Sequence, residues 1–156
     1  MKKIVNYILL ILWLFLIFYL SSETGSVSGA NSNTIIYNTL NVIYDIFNIS
    51  KDSLLNTVDK IGPILRECMH SLEYFVLAIL IMNLLRIYDV KSNLLFISIG
   101  LCFIYSATDE IHQLFVVGRT FEYFDIFMDF VGALIGSLLY KVLKYDVNPI
   151  LETTRF

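Results

Sequence analysis

The 156-residue chain has few charged residues, few prolines and few cysteines. Charged residues make up 16% of the chain, whereas an average soluble domain has about 25%. Hydrophobic residues make up 57% of the chain. Two prolines and seven glycines exclude a collagen-like or low-complexity chain. Two cysteines exclude a disulfide framework, and a net charge of −3 without a basic stripe argues against a nucleic-acid partner. This composition is typical of an integral membrane protein.

Four long hydrophobic runs stand out in the remaining sequence. A membrane-spanning helix needs about 20 mostly apolar residues, and the runs that approach this length are residues 4–20, 64–85, 94–115 and 125–143. The first run follows two lysines and could instead be a signal peptide cleaved near Ser28-Gly29-Ala30. Its 17 residues exceed the usual apolar region of about 7–15, so we interpret it as a retained span. The prediction is an all-α integral membrane four-helix bundle.

The distribution of lysine and arginine predicts the topology of these spans. With the N-terminus inside, seven Lys and Arg residues lie on the cytoplasmic side and four lie outside. Because cytoplasmic segments carry an excess of Lys and Arg, we expect both termini in the cytoplasm.

The long outer loop, residues 21–63, contains more than one kind of segment. Residues 21–34 are rich in Ser, Gly and Asn, which predicts a flexible linker. An amphipathic helix is then predicted, because apolar and polar residues alternate at helical spacing: Ile36, Leu40, Ile43 and Phe47 on one face, and Asn38, Asn41, Asp45 and Asn48 on the other. It could lie on the membrane surface or pack against the bundle. A short helix over residues 51–61 should end at Gly62-Pro63.

Ionisable side chains interrupt three of the spans, all in the half that the topology places outside. Each charge costs about 2.5–3.5 kcal/mol near mid-bilayer, so these side chains should face inward around one pocket. The candidate residues for acid–base catalysis are His70, Glu73, Asp109 and Glu110. The candidate residues for substrate binding are Arg66, Tyr74, Gln113, Arg119, Asp125 and Asp129. Gly132 and Gly136 would let another helix approach closely.

The balance of charge in this pocket leaves the question of a cofactor open. The four carboxylates of Glu73, Asp109, Glu110 and Asp129 face only two arginines, so they share protons or enclose a cation. A divalent cation would supply a Lewis acid. Arginines and shared protons would suffice without it, and no cofactor is assigned.

Three blocks of this sequence resemble the VanZ-like family of small bacterial membrane proteins. The blocks are Arg66-x-x-x-His70-x-x-Glu73-Tyr74, Asp109-Glu110-x-x-Gln113-x-Phe115-x-x-x-Arg119 and Asp125-x-x-x-Asp129-x-x-Gly132-x-x-x-Gly136. Ser21-Ser22-Glu23-Thr24-Gly25 is similar to the start of the family's outer loop, whereas Val117 stands where proline is common. The resemblance covers essentially the whole chain.

The resemblance implies a multi-pass protein of the bacterial cell membrane with a role in teicoplanin-type glycopeptide resistance. Its expected partners are membrane lipids, a lipid-linked envelope precursor or the glycopeptide itself. The pocket could modify an amphiphile or only bind it. A transporter or proton path is a weaker alternative, because the charges lie in one leaflet and no internal repeat is seen. The charged groups could also be purely structural salt bridges.

Overall fold

A computed structural model describes residues 2–47, 50–90 and 93–145. It contains five helices: α1 (Lys2–Ser21), α2 (Gly25–Ile46), α3 (Lys51–Ile87), α4 (Leu94–Gln113) and α5 (Tyr123–Tyr145). These three ranges contain no strand, so the all-α prediction is confirmed. Four of the helices, α1, α3, α4 and α5, are long and apolar enough to cross a membrane. Asn48, Lys91 and Arg155, which entered the sequence predictions, lie outside the described residues.

The central element is α3, which contacts each of the other four helices. The main hydrophobic cluster includes Ile17 of α1, Tyr74 and Leu77 of α3, Cys102 of α4 and Ala133 of α5. Because these helices pack inward on α3, their outward-facing aliphatic and aromatic side chains remain exposed, as expected of a surface that meets lipid.

The closest helix packing is between α3 and α5. A Cβ atom added to Gly132 would lie 1.9 Å from the carbonyl oxygen of Ser71, and one added to Gly136 would lie 2.3 Å from that of Phe75. The two glycines therefore allow the two helix backbones to approach each other directly, as the small-residue spacing predicts.

The segment predicted as a flexible linker is largely helical, which corrects that prediction. The helix α2 begins at Gly25, so only residues 22–24 connect it to α1. Hydroxyl groups that would disfavour a helix bond to carbonyls one turn earlier, as Ser32 Oγ does to Ser28 at 3.1 Å and Thr34 Oγ1 does to Ala30 at 2.7 Å. Packing of α2 along α3 therefore outweighs the low helix propensity of its first three turns.

The predicted break at Gly62-Pro63 is also wrong, because α3 continues through it. Its 37 residues make a helix about 55 Å long, well beyond the roughly 30 Å of a bilayer's hydrocarbon core. The extra length lies in the N-terminal part, where α2 packs against it through Ile36, Leu54 and Val58. Because Gly62 has no side chain, the side-chain amide of Asn33 can occupy the space that a Cβ atom would need. The two helices thus form a hairpin with its own small core.

Candidate functional site

A cleft of about 400 Å³ lies where the hairpin joins the bundle. The side chains that line it come from five segments of the chain. These are Leu20 at the end of α1, Glu23 before α2, several residues of α2, four residues of α3 (Arg66, Met69, His70 and Glu73), and Arg119 of the α4–α5 loop. The α2 contribution comprises Ser28, Asn31, Ser32, Thr34 and Ile35. The cleft therefore combines charged groups with aliphatic side chains.

The two arginines of the cleft differ in their partners. Arg66 Nη2 contacts Glu67 Oε1 at 3.2 Å, while its buried Nε has no hydrogen-bond partner. Arg119 Nε donates to the backbone carbonyl of Glu23 at 3.3 Å. Burial lowers the pKa of Arg119, and the nearby Arg66 lowers it further. Since a guanidinium keeps its proton in proteins, both remain cationic and repel each other across the cleft.

His70 and Glu73 occupy the inner wall of the cleft. His70 Nδ1 lies 3.6 Å from Glu73 Oε2, and both side chains are largely buried. The Glu73 backbone carbonyl accepts a hydrogen bond from Trp13 Nε1 at 2.9 Å, which joins this part of α3 to α1. Glu73 Oε2 itself has no hydrogen-bond partner. A carboxylate near an imidazole at a cleft can attract a cation or take part in proton transfer.

Six of the ten candidate residues lie behind the cleft in a buried polar layer: Tyr74, Asp109, Glu110, Gln113, Asp125 and Asp129. Each of their side chains is more than nine-tenths buried. Asp129 Oδ2 accepts a hydrogen bond from Ser106 Oγ at 2.6 Å. Asp125 neighbours Glu67, and Asp109 neighbours Ser21 and Gln113. The structure thus brings the predicted residues to one end of the bundle but divides them into a cleft group and a buried group.

Glu110 has a defined structural contact. Its Oε2 accepts a hydrogen bond from the backbone N–H of Glu122 at 2.9 Å, just before α5 begins. A carboxylate at a helix N-terminus satisfies a backbone donor and interacts favourably with the helix dipole. Glu110 therefore fixes the end of the loop that carries Arg119.

The described acidic residues do not form a metal-binding cluster. Within residues 2–47, 50–90 and 93–145, no three His, Cys, Asp or Glu side chains lie close enough together to hold an ion. Three of the buried carboxylates have other neighbours: Asp129 the hydroxyl of Ser106, Glu110 the backbone N–H of Glu122, and Asp125 the carboxyl of Glu67.

The junction between α1 and α2 docks directly on the α4–α5 loop. The N–H of Gly25 donates to the carbonyl of Val117 at 3.2 Å, and Gly118 adopts a positive φ of 76°. A Cβ on Gly25 would lie 2.1 Å from the carbonyl oxygen of Gly118. Together with the bond from Arg119 to Glu23, this contact joins segments more than 90 positions apart, and we call residues 23–25 and 117–119 the latch.

Sequence reasoning missed the contribution of α2 and of Glu23 to the cleft. Asn31 Nδ2 donates to Glu23 Oε2 at 3.2 Å, and both side chains line the cavity. The signal that could have found Glu23 was its position in the Ser21–Gly25 block, which had been assigned to the loop alone. His112 lies outside the cleft, where its Nε2 contacts Ser22 Oγ at 3.1 Å and its ring packs on Phe18.

The fold and the site define a small protein of the membrane-spanning helical class, with a charged cleft at one end of the bundle. The VanZ/LLP1 family model matches residues 6–144, which is most of the chain. The chain therefore belongs to the VanZ/LLP1 family, and the resemblance of its sequence blocks is confirmed. Comparison with the curated proteins and with the solved structures gives no match.

Proposed function

We propose that the cleft binds the anionic headgroup of an amphiphile in the outer leaflet of the bacterial cell membrane. The observation that carries this proposal is the pair of arginines on separate elements that face one cavity. Across the described residues, no carboxylate lies within 4.0 Å of the Arg119 side chain. A phosphate between Arg66 and Arg119 would relieve their repulsion and accept charge-assisted hydrogen bonds from both.

The apolar lining supports an amphiphile over a water-soluble anion. Leu20, Ile35 and Met69 line the same cleft, and the last two are about half exposed. The cleft lies at the level where α3 leaves the apolar part of the bundle and enters the hairpin with α2. A headgroup at the arginines would then leave its chain beside Met69, toward lipid. Outer-leaflet phospholipids and lipid-linked envelope precursors both have this chemistry.

Binding is favoured over catalysis because Asp109 and Glu110 are buried behind the cleft and do not line it. Modification of the bound amphiphile is the second candidate, and the His70–Glu73 pair at the cleft wall is the observation that favours it. In that case His70 would transfer a proton, and Glu73 would orient the imidazole ring of His70.

Family membership and the charge distribution complete the proposal. We place both termini in the cytoplasm and the cleft outside, because seven of eleven Lys and Arg residues then lie inside. Binding of a lipid-linked envelope precursor in the cleft would connect it with the teicoplanin-type resistance that the family resemblance implies.

The proposal is tested with purified protein and an alkyl phosphate that carries a photoreactive diazirine. We expect crosslinks to α2 and to residues 66–73 of α3. Arg119→Gln should weaken binding about tenfold or more, because a charged hydrogen bond contributes roughly 1.5–3 kcal/mol. Lys60→Gln is the matched control, since Lys60 is exposed on α3 and does not line the cleft. Equal binding by the two variants would refute an arginine-based headgroup site.

The same variants separate binding from a role in resistance. In cells that depend on this protein for teicoplanin protection, Arg119→Gln should remove protection without lowering its abundance in the membrane, whereas Lys60→Gln should not. His70→Asn should abolish protection but retain alkyl phosphate binding if the amphiphile is chemically modified. If His70→Asn protects fully, the acid–base alternative is wrong.

A further inference from the structure

A second cavity, of about 340 Å³, lies between α3 and α5 at the end of the bundle opposite the cleft. The cleft uses α3 residues up to Glu73, whereas this cavity begins at Ile79. Its walls are mostly aliphatic: Ile79, Leu80, Leu139 and Leu143. The remaining lining residues are Asn83, Tyr140 and Lys144, so polar groups occupy only part of the surface.

The polarity of this cavity changes with depth. Lys144 lies in the last turn of α5, next to the end of the bundle. About one turn deeper, the Tyr140 hydroxyl donates to Asn83 Oδ1 at 3.0 Å. Leu139 lies about 7 Å deeper than Lys144 along the helix, level with the aliphatic walls. Apart from Leu143, which lies beside Lys144, the cation, the hydrogen-bonding pair and the aliphatic surface follow the order of phosphate, glycerol and acyl chain in a phospholipid.

Three cationic side chains of the described residues lie at this end of the bundle: Lys3, Arg86 and Lys144. Arg86 Nη1 donates to the carbonyl of Lys144 at 3.3 Å, which places its guanidinium at the C-terminal end of α5. Lys3 lies 4.6 Å from the centre of the Tyr88 ring at the same end. Among the described residues here, Asp89 is the one acidic side chain. These described cations attract an anionic headgroup more strongly than a zwitterionic one.

We propose that this cavity is a binding site for one anionic phospholipid. The phosphate would contact Lys144, with Arg86 beside it, and one acyl chain would enter the aliphatic part between α3 and α5. With the topology proposed above, the lipid belongs to the cytoplasmic leaflet. The site shares no residue with the cleft, so it stands whether or not the cleft binds an amphiphile.

The test uses phosphatidylglycerol and phosphatidylcholine that carry a diazirine in one acyl chain, with purified protein in detergent micelles. We expect phosphatidylglycerol to crosslink preferentially to residues 79–83 and 139–144. Lys144→Gln should weaken retention of phosphatidylglycerol about fivefold in native mass spectrometry, since one basic residue near a membrane contributes roughly 1 kcal/mol. Lys141→Gln, on the same helix but outside the lining, should retain it.

Two results would overturn the site. One is a pattern of crosslinks spread evenly over α1, α3, α4 and α5, which would indicate bulk lipid. The other is equal retention by the Lys144 and Lys141 variants, or equal retention of the two lipids by the natural sequence. Leu143→Trp gives an independent check, because filling the cavity should displace the acyl chain while Lys144 is kept. Arg119→Gln should leave all of these results unchanged, which separates this site from the cleft.

Discussion

Replacing Gly25 with alanine should disable the cleft without touching any residue that lines it. The added Cβ would lie 2.1 Å from the carbonyl oxygen of Gly118, whereas ordinary contacts begin near 3.4 Å. The backbone of α2 must therefore move by about 1.3 Å, the difference between these two distances. This movement breaks the bond from Gly25 to Val117 and pulls Glu23 away from Arg119.

The expected cost follows from these contacts. Overpacking costs about 1–3 kcal/mol, and one lost hydrogen bond adds about 0.5–1.5 kcal/mol. The free energy of unfolding should therefore fall by roughly 2–4 kcal/mol, and alkyl phosphate binding should fall with the loss of Arg119 positioning.

The chain contains a matched control four residues further along α2. A Cβ on Gly29 would meet nothing within 4 Å, and alanine is favoured over glycine in helices by up to about 1 kcal/mol. Gly29→Ala should therefore melt at the same or a higher temperature and bind normally. The assay measures thermal melting in detergent beside alkyl phosphate binding for both variants. If Gly25→Ala matches Gly29→Ala in both measurements, the latch does not position Arg119 and the reasoning fails.

Three further predictions address topology, packing and Glu110. In a variant without native cysteines, Asn38→Cys should react with an impermeant thiol reagent in intact cells and Asn93→Cys should not; the reverse pattern would invert the proposed orientation. Gly132→Ala should lower the melting temperature because its Cβ would lie 1.9 Å from a carbonyl oxygen of α3, whereas Gly100→Ala, with nothing within 4 Å, should not; equal effects would contradict direct backbone packing. Glu110→Gln keeps an acceptor for the loop N–H and should preserve abundance and alkyl phosphate binding, while Glu110→Leu should reduce both; loss of binding in the Gln variant alone would argue for a direct role of the charge.

The four spans, and the buried faces of α3, α4 and α5, were predictable from the sequence because charged groups are costly in contact with lipid. Exposing charged groups such as Asp109 and Asp129 to lipid costs free energy, so their helical spacing identifies the side of the helix that faces inward. The structure buries both and places Gly132 on the same interface, as the pattern indicates. The helix count of the membrane part follows from the apolar runs alone.

The hairpin was not predictable from local signals. In the sequence alone, Gly25, Gly62 and Pro63 indicate a linker or a helix break. In the structure, Gly25 and Gly62 allow close contacts with Gly118 and Asn33, and Pro63 is accommodated within α3. Proline removes one helical hydrogen bond, and packing of α2 along α3 holds the helix together across that gap. Tertiary contacts between α2 and α3 decided the outcome. The spacing of Ile36 and Leu40 indicates an apolar face of α2, but it does not identify α3 as the helix that this face contacts.

The division of the site into a cleft group and a buried group also could not be predicted from the sequence. Spacing places Glu73 and Asp109 at one depth, yet cannot tell which of them reaches the cavity. That depends on the docking of α2, whose residues supply one whole wall.

Because of the latch, the cleft cannot be completed during synthesis until the loop that follows α4 has been made. Arg66 and His70 enter the membrane with α3, but Arg119 emerges only after α4 and must then return to Glu23. A nascent chain therefore carries charged, half-buried side chains through insertion of two further helices before its pocket closes. Truncation after α4 would remove Arg119, the Glu122 N–H that bonds to Glu110, and α5, which covers α3 and α4. Quality control at the membrane should therefore degrade the fragment, whereas a chain that includes α5 can bury these charged groups.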